Sequence, residues 1–206
     1  MILIIHAHPY PSRSRTTHAL LQAALTLPEV TVHSLYERYP DFDIDIAAEQ
    51  AALAEAHLTV WLHPFYWYSA PGLMKHYFDK VLALGWAYGG NSGGNSGNSN
   101  SGNSNSNDRD GRALHGKHCL WVPSTGGDHD AYRASGIHEH AFADFVKPIE
   151  MTARFCGMFW QPPFVVHGAH VISDDELGAK ADAFKLRLQD WLHVHRSTAA
   201  AQEKTP

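Results

Sequence analysis

The chain has 206 residues, 44% of them apolar, with 16 Lys and Arg set against 21 Asp and Glu. That length fits one domain with a sizeable core, and a formal charge of −5 argues against a nucleic-acid binder of the usual basic kind. No apolar run reaches bilayer-spanning length and Met1 leads straight into a strand with no basic leader, so the expected compartment is the cytosol.

The opening stretch, MILIIHAHPYPSRSRTT, joins a strand to a polar loop. Ile2, Leu3, Ile4 and Ile5 are apolar at successive positions, as a strand covered on both faces requires. Ser12, Ser14, Thr16 and Thr17 follow at the mouth of the first helix, where unpaired N–H groups and the helix dipole favour an anion. A phosphate fits that cup; a capped helix start without a ligand is the alternative. The helix is expected from Thr17 to about Leu27, stopping at Pro28. Val30 to Tyr36 alternates in the manner of an edge strand, and Ile46 to Ala56 reads as a helix with acidic residues near its start.

Leu58 to Phe65 is a third strand, as apolar as the first. Tyr66, Trp67 and Tyr68 follow in a loop that leads into a helix bearing Leu73, Met74, Tyr77, Phe78 and Val81. Adjacent aromatics at the end of a strand call for something flat against them, with core filling as the alternative. From Gly89 to Gly111 the composition turns to Gly, Asn and Ser, which reads as a flexible insertion inside a single domain spanning 1–196. An insertion of this kind is expected to be inert, since each doubling of loop length costs only about 0.6 kcal/mol.

His118 to Pro123 is a fourth strand ending in Ser124-Thr125-Gly126-Gly127, whose glycines allow close backbone approach to a ligand. A helix-bearing segment, interrupted at Pro148, is expected over Gly136 to Met158, and a fifth strand over Phe164 to Ile172. Ser173-Asp174-Asp175-Glu176 is a capping box for a last helix with Leu177, Ala181, Phe184, Leu188, Trp191 and Leu192 on its apolar face. The polar tail, 197–206, is expected to be disordered. Cys119 and Cys156 sit in apolar surroundings and read as reduced core thiols. The histidines show no metal-ligand spacing, with His138 and His140 read as lying on a helix, so no metal site is expected.

Five strands alternating with helices predict an α/β protein with a doubly wound, five-stranded parallel sheet of order 2-1-3-4-5. In that order the loops after strands one, three and four meet at one crevice at the carboxyl ends. A phosphate cup, an aromatic shelf and a Gly-rich shelf together suit FMN.

The segments MILIIHAHP, HPFYWYSAPGLMKHYFDKV, GWAYG and ALHGKHCLWVPSTGG, in order and with matching gaps, resemble the NAD(P)H:quinone oxidoreductase family, in its bacterial branch of glutathione-regulated potassium-efflux ancillary proteins. The likeness covers nearly the whole chain outside 90–112 and the tail. It implies a flavodoxin-like homodimer that carries FMN, or FAD as in the animal members, and reduces quinones by two electrons from NADPH or NADH. It places flavin contacts at His8, Ser14, Arg15, Thr16 and Thr17, at Phe65, Tyr66, Trp67 and Tyr68, and at Ser124, Thr125, Gly126 and Gly127. It places a catalytic pair at Tyr132 and His138. Chemically, an O–H donor and an imidazole beside the flavin would stabilise charge arriving on the ring and on the quinone oxygen. A surface Tyr and a helix-starting His are the alternative.

One cleft serving both nicotinamide and quinone predicts ping-pong kinetics. Two other functions stay open. A flavodoxin-type electron carrier fits the fold but usually bears a stronger acidic field. A purely regulatory subunit, docked on a potassium-efflux transporter at the cytoplasmic face of the inner membrane, follows from the resemblance alone.

Overall fold

The computed structural model describes residues 1–89 and 111–202, with side chains through residue 195. The interior of the insertion expected over 89–111, and 203–206 of the tail, lie outside the described residues.

Five strands form one parallel sheet: β1 (Ile2–His6), β2 (Val30–Ser34), β3 (Leu58–Pro64), β4 (His118–Ser124) and β5 (Phe159–Gln161). Their order is β2-β1-β3-β4-β5, as the alternation of elements predicts. Ile2 lies opposite both Val30 and Leu58, Leu58 opposite His118, and His118 opposite Phe159. The strands therefore start level, and the carboxyl ends of β1, β3 and β4 share one rim.

Successive apolar residues in β1 and β3 are buried because each serves a different core. Leu3, Ile5, Trp61, Cys119 and Trp121 face α3 (Ile46–Glu55), α4 (Gly72–Val81) and α5 (Phe142–Phe155). Ile2, Ile4, Val60, Leu62, Leu120 and Val122 face α1 (Thr16–Leu25) and the long C-terminal helix, Asp174–Gln202. A one-turn helix, α2 (Leu35–Arg38), closes the β2 edge, so the C-terminal helix is α6. Cys119 and Cys156 are both free and buried, and burial pushes the Cys156 thiol up to about 11.

The fifth strand is not where the apolar run of Phe164 to Ile172 places it. Pairing with β4 is made by Phe159–Gln161, and then Pro162 and Pro163, which have no N–H to give, interrupt the ladder. The chain rejoins β4 only briefly, through Phe164 N to Trp121 O (2.9 Å) and Val166 N to Pro123 O (3.0 Å), before turning into a loop at the rim. Pro148 likewise does not interrupt its helix. It lies on the exposed side of α5, as does Asp144, whose carbonyl is the one that loses a donor. The helix ends at Gly157, whose φ of +75° lets Met158 N bond back to Ala153 O at 3.1 Å.

The capping box is present at α6: the Ser173 hydroxyl accepts from Glu176 N (3.2 Å), and the Glu176 carboxylate accepts from Ser173 N (3.2 Å). The α6 backbone runs past Arg196 to Gln202, into the stretch read as tail.

Among the described residues, one carboxylate lies wholly inside. Glu49 on α3 has no exposed surface and accepts from His33 Nδ1 (2.9 Å), Tyr39 Oη (2.7 Å) and Tyr77 Oη (3.3 Å), with Arg38 Nε at 3.3 Å. It ties β2, α2, α3 and α4 together at a single carboxylate.

Candidate functional site

At the carboxyl rim the segments after β1, β3 and β4 enclose a cleft of about 230 Å³. It opens there because β1 and β3 are neighbours whose following helices, α1 and α4, leave to opposite faces of the sheet.

The first wall is His8, Arg13, Ser14, Arg15 and Thr16. Arg15 stands at the N-cap of α1 with helical dihedrals (φ −76°, ψ −51°), and no side chain caps the helix. The first-turn N–H groups and the positive end of the dipole therefore serve the cleft. Thr16 is 4% exposed and its Oγ1 has no hydrogen-bond partner. Leaving a buried hydroxyl unpaired costs on the order of 1–3 kcal/mol, which an anion oxygen in the cleft would relieve. Thr17 lies behind this wall: its hydroxyl bonds to Ser14 Oγ and, at 3.0 Å, to His6 Nε2, while His6 Nδ1 meets Ser34 Oγ at 3.1 Å. Burial, then the nearby His8, His63 and His18, pushes His6 down to about 4, so this chain of hydrogen bonds runs through a neutral ring. Arg15 reaches away from the cup, donating from Nη1 to Ile172 O (2.7 Å) and from Nε to Asp174 Oδ1 (3.2 Å).

The second wall is Pro64, Phe65 and Tyr66. Beneath it His63 is fully buried, donating from Nδ1 to Pro64 O (2.9 Å) and accepting at Nε2 from Trp121 Nε1 (2.8 Å). Desolvation pushes it down to about 4, and the neutral ring pins the end of β3 to β4. Tyr66 and Ser69 then exchange backbone hydrogen bonds across a two-residue turn in which Trp67 (φ +47°) and Tyr68 (φ +62°) are both left-handed. Such backbone costs of order 1–3 kcal/mol per residue and collects at functional sites. Trp67 is 92% exposed on the outside of the turn.

The third wall is Ser124, Gly126, Ala169 and His170. Thr125, fully buried, donates to Gly127 O (2.7 Å), which leaves its oxygen to accept from His167 Nδ1 (2.9 Å). A Cβ at Gly126 would sit 3.1 Å from the His170 ring, and one at Gly127 would sit 3.1 Å from Ala131 Cβ and 3.3 Å from His138 Nε2. The shelf is open only because these two residues have no side chain.

An aromatic group adjoins the cleft beyond Phe65. Tyr132 is buried and stacks on His138 (4.4 Å between ring centres, 28° between planes), while Tyr68 Oη lies 3.3 Å from His138 Nδ1. Burial raises the Tyr132 phenol above its ordinary range. Tyr132 is thus not a surface residue, and His138 occupies a turn ahead of α5 rather than a helix.

The residues named from sequence gather at one rim, with His8, Ser14, Arg15, Thr16, Phe65, Tyr66, Ser124 and Gly126 lining the cleft itself. Arg13, Pro64, Ala169 and His170 line it too and were not singled out by sequence. Reading 164–172 as a strand hid the loop that carries Ala169 and His170; the Pro162-Pro163 pair and Gly168 were the available signal.

The family described as the flavodoxin-like fold matches residues 1–190. The glutathione-regulated potassium-efflux system ancillary protein KefF of Salmonella typhi is 46% identical over 195 residues, spanning 95% of this chain and 99% of that protein. General stress protein 14 of Treponema denticola, solved in complex with FMN, is 33% identical with a TM-score of 0.78, over 92% of this chain and 98% of that one. An NADPH-quinone reductase from P. pentosaceus is 27% identical with a TM-score of 0.73, over 90% and 95%.

Proposed function

Because the chain belongs to the flavodoxin-like fold family, we propose that it is an FMN-dependent NAD(P)H:quinone oxidoreductase that also serves a glutathione-regulated potassium-efflux system as an ancillary subunit. The observation that carries the reading is the unpaired, buried Thr16 hydroxyl at an uncapped helix start, inside the cleft that three loops share. A phosphate answers each of those groups. The residues present fit FMN: Ser14, Thr16 and the first-turn N–H groups of α1 would hold its phosphate. Phe65, Tyr66, Ser124 and Gly126 would hold its ring, and His8 lines the same cleft.

When bound, FMN supplies the two-electron redox chemistry that this chain's side chains lack. The chain orients the nicotinamide donor and the quinone in turn over the shelf at Gly126 and Gly127. His138, backed by Tyr132, offers a hydrogen bond to the quinone oxygen as negative charge gathers there. A one-electron carrier has no need of such a donor, and the open shelf beside it favours the enzyme reading.

Homodimerisation belongs to the same proposal. It is supported by exposed Met151 and Phe155 on α5, beside a groove of about 380 Å³ between α4 and α5. No helix among the described residues is long and apolar enough to cross a membrane, and attachment to a transporter is proposed at its cytoplasmic face.

Steady-state rates with FMN, NADPH and a quinone test the reading. Parallel double-reciprocal lines are expected, because donor and acceptor exclude one another from one cleft. Intersecting lines would require a ternary complex and rule out the shared site; absence of quinone-dependent NAD(P)H oxidation would rule out the enzyme. Potassium efflux measured with and without the protein tests the ancillary role.

A further inference from the structure

We infer that Tyr68 is a positioning residue: its hydroxyl donates to His138 Nδ1 and holds the imidazole as the Nε2–H tautomer, with that N–H turned to the shelf at Gly127. This rests on the quinone-reductase reading for its purpose, though not for its geometry. The 3.3 Å contact joins the phenol oxygen to His138 Nδ1, and the assignment takes the phenol O–H as donor to the ring nitrogen's lone pair. Nδ1 then carries no proton, and the ring's single N–H is at Nε2.

The surroundings leave His138 little freedom to turn. Tyr132 covers one face of its ring at 4.4 Å, and its own backbone N–H donates to Ala131 O at 3.1 Å. Tyr132 meets the imidazole through its ring face, whereas Tyr68 meets it through a polar atom. Tyr68 in turn stacks on Phe145 of α5 (5.3 Å, 20°). Its φ of +62° is left-handed, unfavourable for a bulky residue, and in that turn the phenol reaches both Phe145 and His138.

On the far side of the ring, Nε2 lies 3.3 Å from where a Gly127 Cβ would stand. A side chain there would press on the Nε2 edge of the ring. The tyrosine at 68 therefore decides whether the cleft meets a donor or an acceptor at this point, and only a donor stabilises negative charge on a quinone oxygen.

The test uses the full-length protein labelled with ¹⁵N-histidine, with and without FMN, in wild type, Tyr68→Phe and Tyr132→Phe. Phe keeps the ring that stacks on Phe145. In the wild type the two His138 nitrogens are expected to resonate far apart, as a single tautomer does. In Tyr68→Phe they are expected to move toward each other as tautomers mix, and kcat with quinone to fall about tenfold or more with KM for NADPH little changed. Tyr132→Phe is expected to keep the nitrogens apart. An unchanged nitrogen pattern in Tyr68→Phe, or collapse in Tyr132→Phe alone, would overturn the assignment. The nitrogen spectrum of FMN-free protein needs no turnover, so a wild type inactive toward quinones would count against the proposed reaction and leave the role of Tyr68 standing.

Discussion

FMN binding is expected to weaken at least about a hundredfold in Thr16→Asp, with helix α1 still formed. The substitution keeps a short polar side chain at the first residue of α1 but adds a negative charge where the phosphate dianion belongs. Two like charges a few ångströms apart in a partly desolvated cup repel by several kcal/mol, and a hundredfold loss requires only about 2.7 kcal/mol. The fold does not share the penalty, because carboxylates are favoured at helix N-termini and this one has no cap to displace. Flavin fluorescence titration measures the affinity, and far-UV circular dichroism checks the helix. Equal affinity in wild type and variant would remove the phosphate from α1.

The second large effect concerns stability, away from the cleft. Glu49→Ala is expected to cost about 3–5 kcal/mol, read from the midpoint of denaturant unfolding, because it strips a common acceptor from four side chains packed around it. The same network sets an acid limit. Burial raises the Glu49 carboxyl, but hydrogen bonds from His33 and Tyr39 and the charges of His33 and Arg38 outweigh it, leaving the group below its ordinary value of 4.5. A depressed folded value means that Glu49 contributes fully above pH 4.5 and that its contribution is lost as pH falls through the folded value.

His6 and His63 act sooner. Both fall from 6.5 to about 4 on folding, so between those limits the unfolded chain binds more protons and stability declines as the solution is acidified. Wild-type stability is therefore expected to drop from pH 6.5 to about 4 as the two histidines take up protons, with a separate loss from Glu49 that sets in below 4.5. Glu49→Ala is expected to keep the first decline and lose the second.

The parts of the fold that follow from local pattern were legible. Four successive apolar residues in β1 leave a strand no exposed face, and the β1 and β3 runs end directly in the loops that form the cleft. Ser173 and Glu176 announce the start of α6 because both partners of the cap lie within one turn. Long-range choices were not legible. Nothing in SRSR tells which arginine turns to Asp174, 159 residues away: Arg13 and Arg15 both line the cleft, and it is the Arg15 guanidinium that ties the cup to α6. A three-residue β5 with an exposed Phe159 is too short to outweigh the apolar run after Pro163. The hydroxyl of Tyr68 finds His138 across 70 residues, through a turn whose left-handed backbone no residue in YWYS advertises.

The claim beneath these expectations is that the phosphate of FMN lies in the cup at the start of α1 while its ring lies between the β3 and β4 loops. Phosphorus NMR of FMN added to the protein tests it directly. A buried phosphate met by N–H and hydroxyl donors should stay dianionic below its free second pKa of about 6, giving a displaced resonance that does not move as pH is lowered. A resonance that titrates like free FMN while the flavin is held by the protein would contradict the account.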